Sequence, residues 1–572
     1  MAEGALRIGI DVGGTNTDAV VLDSSDRVVA KAKRPTSRDV TEGLRAALDA
    51  VLTDLDGEQA HSERAHGERA HGERAHGERA HGEQADHRRG GHGRGDRRRG
   101  DGGRAASRVT RVMLGTTHAT NAILERGNLG RVAVLRLGAP ATTSVPPLSD
   151  WPEDLRKAVS AGEAIVPGGH YVDGREIGPL DLDAVRRFLD GRQADAVAVT
   201  GVFSPASADH ERVVADLVRA EFGLPVSVSH EIGSLGLLER ENATVLNAAL
   251  YEVAAHVTGA LVAALAERGI GAEPYLAQND GTLMTLGQAA RLPVSTIGSG
   301  PANSLRGAAF LSGVRDAIVA DVGGTSTDLG VLVGGFPRES AAAVEIGGVL
   351  TNFRMPDILA IALGGGTVVR DSRVRVGPDS VGYRIVEEAL VFGGRTPTLT
   401  DAGVASGRVP PGADGWPDRL GAALSATDTA EEIRDTLQNG LAAADEMIFD
   451  AVDRMALGRA DRPLVAVGGG AFLLPGRIPG VSRVLRPEHA EVANAVGAAI
   501  ALASGRVDTI LPAGETRSEA IERVKEEAAA RAVAAGADPA KVEIVDLLEV
   551  PLSYLSEPAV RVHVKAAGPL AR

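Results

Sequence analysis

The octet DVGGTNTD occupies residues 11–18, and the octet DVGGTSTD occupies residues 321–328. Seven of the eight positions are identical in the two copies. Each octet lies between two short apolar stretches, and this pattern predicts a strand on either side of a glycine turn. The sequence therefore predicts one β-hairpin that occurs twice, and a fold duplicated around the two copies.

Each octet combines a carboxylate with a turn that suits anion binding. A strand that ends in aspartate brings a carboxylate to the sheet edge, and the two glycines let backbone N–H groups approach an anion closely. An aspartate beside phosphates usually serves Mg²⁺ or orients an attacking water. Two such hairpins that face each other would hold a polyphosphate from both sides. The predicted phosphate-binding residues are Gly13, Gly14, Thr15, Asn16, Thr17, Gly323, Gly324, Thr325, Ser326 and Thr327, and Asp11 and Asp321 are the predicted catalytic residues and Mg²⁺ ligands.

A pair of ordinary Gly-Gly turns capped by Thr and Asp is the alternative interpretation of the octets. The repetition of the octet in the same strand context disfavours it. Neither octet is a Walker loop, because the Gly-Lys-Ser/Thr element is missing. Neither is a dinucleotide fingerprint, because a strand follows where that motif requires a helix.

Composition limits the classes of protein to which the chain can belong. A chain of 572 residues is too long for one hydrophobic core, so two or more domains are expected. The net charge of −15 disfavours nucleic acid or an anionic membrane as a partner. The absence of cysteine excludes a thiol nucleophile and a zinc–thiolate site. We find no secretion signal and no apolar run of roughly 20 residues, so we expect a cytoplasmic protein.

Alternating strand and helix patterns predict an α/β fold with three parts. These are an N-terminal domain over residues 1–240, a second domain over 241–510 and a small α+β appendage over 511–572. Residues 58–107 repeat the pentad AHGER and then become rich in Arg and Gly. They hold too few apolar residues to form a core, which predicts a disordered insertion. We also expect an irregular excursion over 139–180.

Two further polar turns contain candidate catalytic residues. Thr116, Thr117 and Asn121 lie at a strand-to-helix junction, where hydroxyl groups and helix N-terminal amides could bind a carbonyl or phosphoryl oxygen. Helix capping is the alternative role of these threonines. Asp280 could act as a base or a metal ligand, or could simply form an Asn-Asp-Gly turn. His118 lies in the first turn, and a structural role is the more common one for a lone histidine.

Several further segments follow one another in the order of a known family. They include LGTTHATNAILERG at 114–127, ERENATVLNAAL at 239–250, GSGPANSLRGA at 298–308 and PTLTDA at 397–402. With the two octets, they resemble the ATP-dependent hydantoinase/5-oxoprolinase A-type proteins of the actin, sugar kinase and Hsp70 superfamily. The resemblance covers most of residues 5–505 outside the insertion.

The resemblance implies two RNase-H-like domains around an ATP cleft, with ATP and Mg²⁺ as cofactors. It also implies that a glycine run after a buried strand packs under the adenosine, and Gly468, Gly469 and Gly470 are assigned that role. At 383–394 the sequence YRIVEEALVFGG departs from the family's pattern. Because this segment is expected near the substrate, the resemblance supports the nucleotide site more directly than the identity of the substrate.

The activity implied by the resemblance is ATP-dependent hydrolysis of a small cyclic amide, such as a lactam, an imide or a hydantoin. Phosphorylation of the carbonyl oxygen would create an intermediate that water can attack. The implied small-molecule partner is the amide. The family's B-type subunit is not fused to this chain, so it is either a separate partner or absent, and we expect an oligomer. A sugar-type small-molecule kinase, an ATP-dependent carboxylase subunit and a non-enzymatic ATP-driven reactivating protein remain alternatives.

Overall fold

A computed structural model describes most of the chain, with helices and strands alternating along it. The described residues are 4–14, 16–36, 41–56, 102–233, 235–340, 343–370, 376–456, 462–512, 514, 517–552 and 558–571. The predicted insertion lies outside them over 58–101. Its last part is described, and helix Gly102–Arg108 forms where disorder was predicted.

The first sheet has nine strands and contains the first octet. Its strands, from one edge to the other, are Val28–Pro35, Asn16–Leu22, Leu6–Val12, Val109–Thr116, Glu273–Ala277, Thr282–Thr285, Leu502–Pro512, Ala559–Gly568 and Glu543–Leu552. The hairpin strands Leu6–Val12 and Asn16–Leu22 are antiparallel. Strand Val109–Thr116 then runs parallel to Leu6–Val12, as does Glu273–Ala277 beyond it.

The second sheet repeats this arrangement around the second octet. Its strand order is Phe336–Pro337, Thr327–Val333, Ala317–Val322, Leu464–Val467 and Val484–Leu485, and Ile358–Ile361 also pairs with Thr327–Val333. The hairpin is again antiparallel, and the two strands after Ala317–Val322 are again parallel to it. The predicted duplicated α/β fold is therefore confirmed.

A third sheet lies between these two in the sequence. Its four strands are all parallel, in the order Ser160–Pro167, Val132–Ala139, Ala196–Gly201 and Val226–Val228. The prediction of an irregular excursion over 139–180 is wrong for part of its length. Helix Glu153–Val159 and strand Ser160–Pro167 form there because a short apolar run, AIVP, pairs with a buried strand. A small hairpin joins Val344–Ile346 to Val349–Thr351.

The chain returns to the first sheet twice after residue 240. Strands Glu273–Ala277 and Thr282–Thr285 belong to it, although the predicted boundary assigns them to the second domain. The predicted C-terminal appendage also extends this sheet, through the hairpin of Glu543–Leu552 and Ala559–Gly568, which we call the C-terminal hairpin. Strand pairing across the sequence explains both differences, because hydropathy alone does not show which sheet a strand joins.

The helices cover the faces of these sheets. Their bounds are 41–56, Gly102–Arg108, His118–Glu125, Glu153–Val159, Leu182–Leu189, Asp209–Leu217, Leu237–Ala249, Tyr251–Glu267, Leu286–Arg291, Ser299–Ser312, Ile385–Glu388, Leu399–Ala405, Trp416–Ser425, Ala430–Ala456, Ala493–Ala499 and Arg517–Ala534. In the described part of the chain, no single helix has the length and apolarity needed to cross a membrane. The pair Leu237–Ala249 and Tyr251–Glu267, bent by 48°, meets that test of length and composition only when taken together.

Helices Ser299–Ser312 and Ala493–Ala499 touch along their backbones between the two sheets. A Cβ on Gly497 would lie 1.8 Å from the Asn303 carbonyl oxygen, and a Cβ on Gly307 would lie 1.8 Å from the Ala493 carbonyl oxygen. Only glycine permits an approach this close. The contact brings side chains of both helices, Asn303 among them, to the base of the first octet.

Candidate functional site

Each octet forms a tight hairpin that pairs its first and last aspartates. Asp11 lies opposite Asp18, and Asp321 lies opposite Asp328. The turns close in the same way, through a hydrogen bond of 3.0 Å from Gly13 N to the Asn16 carbonyl oxygen and its counterpart of 2.9 Å from Gly323 N to the Ser326 carbonyl oxygen. The duplicated sequence therefore places two carboxylates side by side on each hairpin.

Amide groups from the two central helices hold the first carboxylate pair. Asn494 Nδ2 donates to Asp11 Oδ2 at 3.1 Å and to Asp18 Oδ2 at 3.0 Å, so one side chain spans both aspartates. Asn303 Nδ2 donates to Asp11 Oδ1 at 3.3 Å. Lys33 Nζ forms an ion pair of 2.8 Å with Asp18 Oδ1. These three partner residues fix the first pair in position.

Burial and neighbouring charge raise the pKa of Asp11. Loss of hydration is the main cause and the Asp18 carboxylate the next, and together they bring the pKa to about 6. The hydrogen bonds from Asn303 and Asn494 act in the opposite direction. The Asp321 carboxylate adds a further increase, so the two hairpins lie close enough to interact.

The second carboxylate pair has fewer partners. Ser304 Oγ donates to Asp321 Oδ2, and loss of hydration raises the pKa of Asp321 despite that bond. Loss of hydration and the charge of Asp321 raise the pKa of Asp328 to about 7. Carboxylates that repel one another in this way create a site that a divalent cation would stabilise. The donor set therefore fits Mg²⁺, whose preferred ligands are oxygens.

The predicted phosphate-binding residues differ in their exposure to solvent. Gly14 and Thr325 are exposed at the tips of their turns. Thr17 and Thr327 are fully buried instead, because side chains alternate along a strand and each of these threonines precedes an aspartate that faces the other way. Thr327 Oγ1 donates to the Leu363 carbonyl oxygen at 2.6 Å. Thr15 lies outside the described residues.

Two glycine runs, at residues 364–366 and 468–470, pack against the second octet. Gly365 N donates to the Gly323 carbonyl oxygen at 2.9 Å, and Gly366 N donates to the Gly324 carbonyl oxygen at 2.7 Å. In the run predicted to underlie the adenosine, a Cβ on Gly468 would lie 2.3 Å from Asp321 Oδ1. Gly469 has open space on its Cβ side.

The last residue of that run, Gly470, also forms a backbone hydrogen bond to the second hairpin. Gly470 N donates to the Val322 carbonyl oxygen at 2.8 Å. The run 468–470 therefore lies directly beneath the second octet, and its middle residue faces open space.

The polar turn after strand Val109–Thr116 joins the first octet to helix Ser299–Ser312. A Cβ on Gly115 would lie 2.2 Å from Asp11 Oδ1, so only glycine fits there. Thr117 N and Thr117 Oγ1 both donate to the Val12 carbonyl oxygen, at 3.1 and 3.3 Å. Thr116 is buried and forms a 2.6 Å hydrogen bond with His118 Nδ1. Both threonine hydroxyls are therefore engaged within the protein.

Beside the first octet lies a cleft of about 1150 Å³. Its lining residues are Gly13, Gly14, Thr36, His118, Asn121, Ala122, Glu125, Gly127, Asn128, Glu252, Val253, His256, Val257 and Tyr383. Of the predicted catalytic residues outside the octets, Asn121 is the one that lines this cleft. Burial and the neighbouring His256 lower the pKa of His118, which favours the neutral imidazole.

Asp280 does not lie with the octet residues. Its carboxylate forms an ion pair of 2.8 Å with Lys565 Nζ, and it accepts hydrogen bonds from Thr282. Although burial opposes ionisation, Lys565 and Arg506 hold the pKa of Asp280 well below its usual range. A carboxylate with so low a pKa is a weak base, so the geometry favours a structural role for Asp280 over a catalytic one.

Sequence reasoning missed several residues of the octet site. Asp18 and Asp328 were detectable, because positions flanking a short hairpin turn face each other across it. Asn303 and Asn494 gave no comparable signal, because their approach depends on how two helices pack. Lys33 belongs to the strand next to the first hairpin, and it faces Asp18 in the register of that pair.

The repeated strand order and the two opposed hairpins define the actin-like class of nucleotide-binding folds. Residues 240–507 match the model of the hydantoinase/oxoprolinase family, and residues 7–67 and 93–222 match that of the hydantoinase/oxoprolinase N-terminal region. The chain therefore belongs to the hydantoinase/oxoprolinase family.

Individual relatives agree with this assignment. The chain is 30% identical over 256 residues to the acetophenone carboxylase gamma subunit of Aromatoleum aromaticum, covering 42% of this chain and 35% of that protein. It is 26% identical over 451 residues to the caprolactamase subunit alpha of Pseudomonas jessenii, covering 72% of this chain and 56% of that protein. The chain therefore spans between about a third and somewhat over half of the length of these curated relatives.

A solved structure shares the fold along almost the entire chain. The crystal structure of the ATP-dependent caprolactamase from Pseudomonas jessenii aligns with a TM-score of 0.72 at 20% sequence identity. The alignment covers 99% of this chain and 88% of that chain. This similarity confirms the fold.

Proposed function

We propose that this chain is the nucleotide-binding part of an ATP-dependent enzyme that activates the carbonyl group of a small cyclic amide, such as a lactam, an imide or a hydantoin. The observation that carries the proposal is the proximity of two carboxylate pairs, Asp11 with Asp18 and Asp321 with Asp328, since Asp321 raises the pKa of Asp11 and Asp18 raises that of Asp321. Membership of the hydantoinase/oxoprolinase family supports a cyclic amide as the substrate class.

The proposed reaction removes the resonance that makes an amide a poor electrophile. The carbonyl oxygen attacks the γ-phosphorus of ATP, an O–P bond forms, and the bond from that phosphorus to the β–γ bridging oxygen breaks with release of ADP. Water then adds to the activated carbon, and the C–N bond breaks so that the ring opens to an acyl phosphate carrying a free amine. A second water hydrolyses the acyl phosphate and releases inorganic phosphate and the carboxylate. Such transfer needs positioning and charge neutralisation more than a covalent nucleophile, which suits a chain without cysteine.

The octets have distinct parts in this proposal. Backbone N–H groups of the Gly13–Gly14 and Gly323–Gly324 turns would bind the phosphate oxygens. The four aspartates would hold Mg²⁺, which neutralises charge on the β- and γ-phosphates. The open side of Gly469 would accommodate the adenosine, since no side chain occupies that space.

The cleft beside the first octet would bind the amide. Asn121 lines it and carries both a donor and an acceptor, which match the carbonyl and N–H groups of an amide. His118 is next to Asn121 in the cleft, and its lowered pKa favours a neutral ring that can donate one hydrogen bond. Tyr383 closes the cleft from the second half of the chain.

ATP-dependent release of phosphate would test the proposal directly. Lactams, imides and hydantoins are supplied one at a time, with and without the separate B-type subunit that we propose as a partner. We expect phosphate release to rise with at least one cyclic amide and ring-opened product to form in equal amount. If no amide changes the rate of phosphate release in the presence of the partner, the assignment is contradicted.

A carboxylase subunit is the second candidate function. The observation in its favour is the 30% identity to the acetophenone carboxylase gamma subunit. Phosphorylation of a ketone enolate or of bicarbonate would use the same octets. Adding a ketone and bicarbonate to the same assay separates the two candidates, because carboxylation consumes ATP only when both are present.

A further inference from the structure

A second group of ionisable side chains lies away from the octets, where the C-terminal hairpin meets the second sheet. Glu339 follows strand Phe336–Pro337 of the second sheet. Asp546 and His563 belong to the two strands of the C-terminal hairpin. One potential ligand atom from each of the three lies within 4.8 Å of the other two. The group therefore has the dimensions of a metal site.

His563 has no ordinary hydrogen bond in this position. Its side chain is only 3% exposed, and neither ring nitrogen has a hydrogen-bond partner among the described residues. Nδ1 lies 3.5 Å from Asp508 Oδ2, and Nε2 lies 3.7 Å from Asp546 Oδ2. A neutral imidazole carries one N–H group and one lone pair, so one nitrogen directs a lone pair at a carboxylate. A divalent cation between that nitrogen and the carboxylate would remove the repulsion between the two lone pairs.

We propose that His563 Nε2, Asp546 and Glu339 bind a divalent transition-metal ion, with Zn²⁺ as the best match. Zn²⁺ accepts imidazole nitrogen and carboxylate oxygen together, and water completes its coordination. Asp508 would accept the proton on Nδ1 and so direct the Nε2 lone pair at the metal. Arg561 holds Asp508 in that position, with bonds of 3.0 and 2.7 Å.

Positively charged side chains near these three residues disfavour a cation that is bound by electrostatic attraction alone. Arg354 Nη1 lies 2.8 Å from Glu339 Oε2 and 3.7 Å from Asp546 Oδ2, and Lys565 Nζ lies 3.7 Å from Glu339 Oε1. These positive groups offset the carboxylates, so an oxygen-seeking ion such as Mg²⁺ gains little. A metal that binds imidazole gains an additional ligand from His563. The Asp546 side chain is 43% exposed and leaves a path for entry.

The proposed metal would join two parts of the fold. Glu339 follows the edge strand Phe336–Pro337 of the second sheet, and the other two ligands come from strands that extend the first sheet. Binding would therefore fasten the C-terminal hairpin to the second half of the chain. This site shares no residue with the proposed nucleotide site, so either proposal can fail without the other.

The test compares zinc bound by four versions of the full chain. These are the wild type, Asp546→Asn, His563→Gln and, as the control, Glu543→Gln, which alters an exposed carboxylate of the same strand. Seven of the 14 histidines lie between residues 61 and 92 and can bind zinc unspecifically, but all four versions share them equally. Bound zinc is measured by mass spectrometry after dialysis against ZnCl₂, with MgCl₂ as the comparison.

We expect the wild type and the control to retain one more equivalent of zinc than Asp546→Asn and His563→Gln. Zinc should also raise the unfolding temperature of the first two more than that of the others, because a ligand that binds only the folded state stabilises it. Equal zinc in all four versions overturns the proposal. So does an anomalous difference map of zinc-soaked crystals without a peak between His563 and Asp546, an outcome that would leave a protonated His563 as the bridging cation.

Discussion

Asp11 and Asp321, the first aspartates of the two octets, lie close enough to interact, since the charge of Asp321 contributes to the raised pKa of Asp11. Their strands belong to different sheets with the same strand order. The duplication in the sequence is therefore also a duplication in space, with one copy facing the other. In the proposed function, the two turns would contact the same polyphosphate, which neither could enclose alone.

Replacing Asp321 with asparagine should abolish most ATP turnover. The variant keeps the shape of the side chain and its bond to Ser304 but removes a charge that would hold Mg²⁺. We expect a decrease on the order of a hundredfold or more, the usual effect of losing one electrostatic contact to a transferring group. Phosphate release at saturating ATP measures it.

The control for that variant is Asp418→Asn, on the exposed face of helix Trp416–Ser425. It removes the same charge from the chain far from the octets and should leave turnover unchanged. Full turnover in Asp321→Asn would show that the second octet does not take part in the reaction.

Gly468→Ala should destabilise the protein, whereas Gly469→Ala should not. Gly468 has φ of +85°, and a Cβ there would lie 2.3 Å from Asp321 Oδ1. Gly469 has nothing within 4 Å of its Cβ position. A strained backbone of this kind typically costs about 1 to 3 kcal/mol, apart from the steric overlap. Thermal unfolding of both variants measures the difference, and equal unfolding temperatures would contradict the geometry.

The sequence was sufficient to predict the two octet hairpins because all the residues that define each hairpin are close together in the chain. A strand, two glycines and a second strand are adjacent in the chain, and the repeat identifies them without knowledge of the fold. The orientation of Thr17 and Thr327 was also available in principle, since side chains alternate along a strand. Because Asp18 and Asp328 pair with Asp11 and Asp321 on one face of their hairpins, the preceding threonines face the other side.

Other site residues depended on contacts that no local pattern reveals. Asn494 reaches Asp11 and Asp18 from a helix more than 400 residues away in the chain, through a helix contact that needs Gly497. The ion pair that lowers the pKa of Asp280 comes from Lys565, which is 285 positions further along the chain. Such contacts are set by packing, which is why the prediction of Asp280 as a catalytic base could not be checked from sequence.

In the ligand-free protein, the stabilising contributions of Asp11 and Asp328 should be lost as the pH rises from about 4 to 7. The pKa of Asp11 is about 6 and that of Asp328 about 7, against an ordinary value of 3.8. The folded chain therefore binds these protons more tightly than the unfolded chain, and the resulting stabilisation is complete below the ordinary value and lost as the pH passes 6 to 7. Unfolding temperatures measured across this range test the expectation.

Asp328→Asn supplies the control for this pH dependence. It removes the group with the highest of these pKa values, so the decline between pH 6 and 7 should become shallower. Mg²⁺ with nucleotide should stabilise the wild type more at pH 8 than at pH 5, because protons compete with the metal for the carboxylates. An identical pH profile in the variant would contradict the assigned pKa of Asp328.

The pair of Arg136 and Glu241 should matter more to stability than any exposed ion pair. Both side chains are fully buried, and two hydrogen bonds of 2.6 Å join them. Arg136→Met leaves Glu241 buried without its partner, a change that typically costs about 3 to 5 kcal/mol. Urea-induced unfolding measures that cost.

The matched control breaks an exposed pair of the same type. Arg186 and Glu221 are joined at 2.7 Å, with each side chain 42% exposed. Arg186→Met should therefore cost much less stability than Arg136→Met, because water screens the exposed pair. Similar losses in the two variants would mean that water reaches the Arg136–Glu241 pair.

Tyr383→Ala should weaken binding of the amide more than it slows catalysis. Tyr383 lines the cleft from the segment that departs from the family's pattern, and it is 71% exposed, so its ring is free to contact a ligand. Loss of such a contact raises KM, roughly tenfold for a modest apolar group, while kcat changes little. Steady-state phosphate release with the amide identified in the substrate panel gives both constants.

Val386→Ala is the control, because Val386 is 61% exposed one turn further on but is not among the residues that line the cleft. A rise in KM that is equal in both variants, or absent from Tyr383→Ala, would place the amide elsewhere.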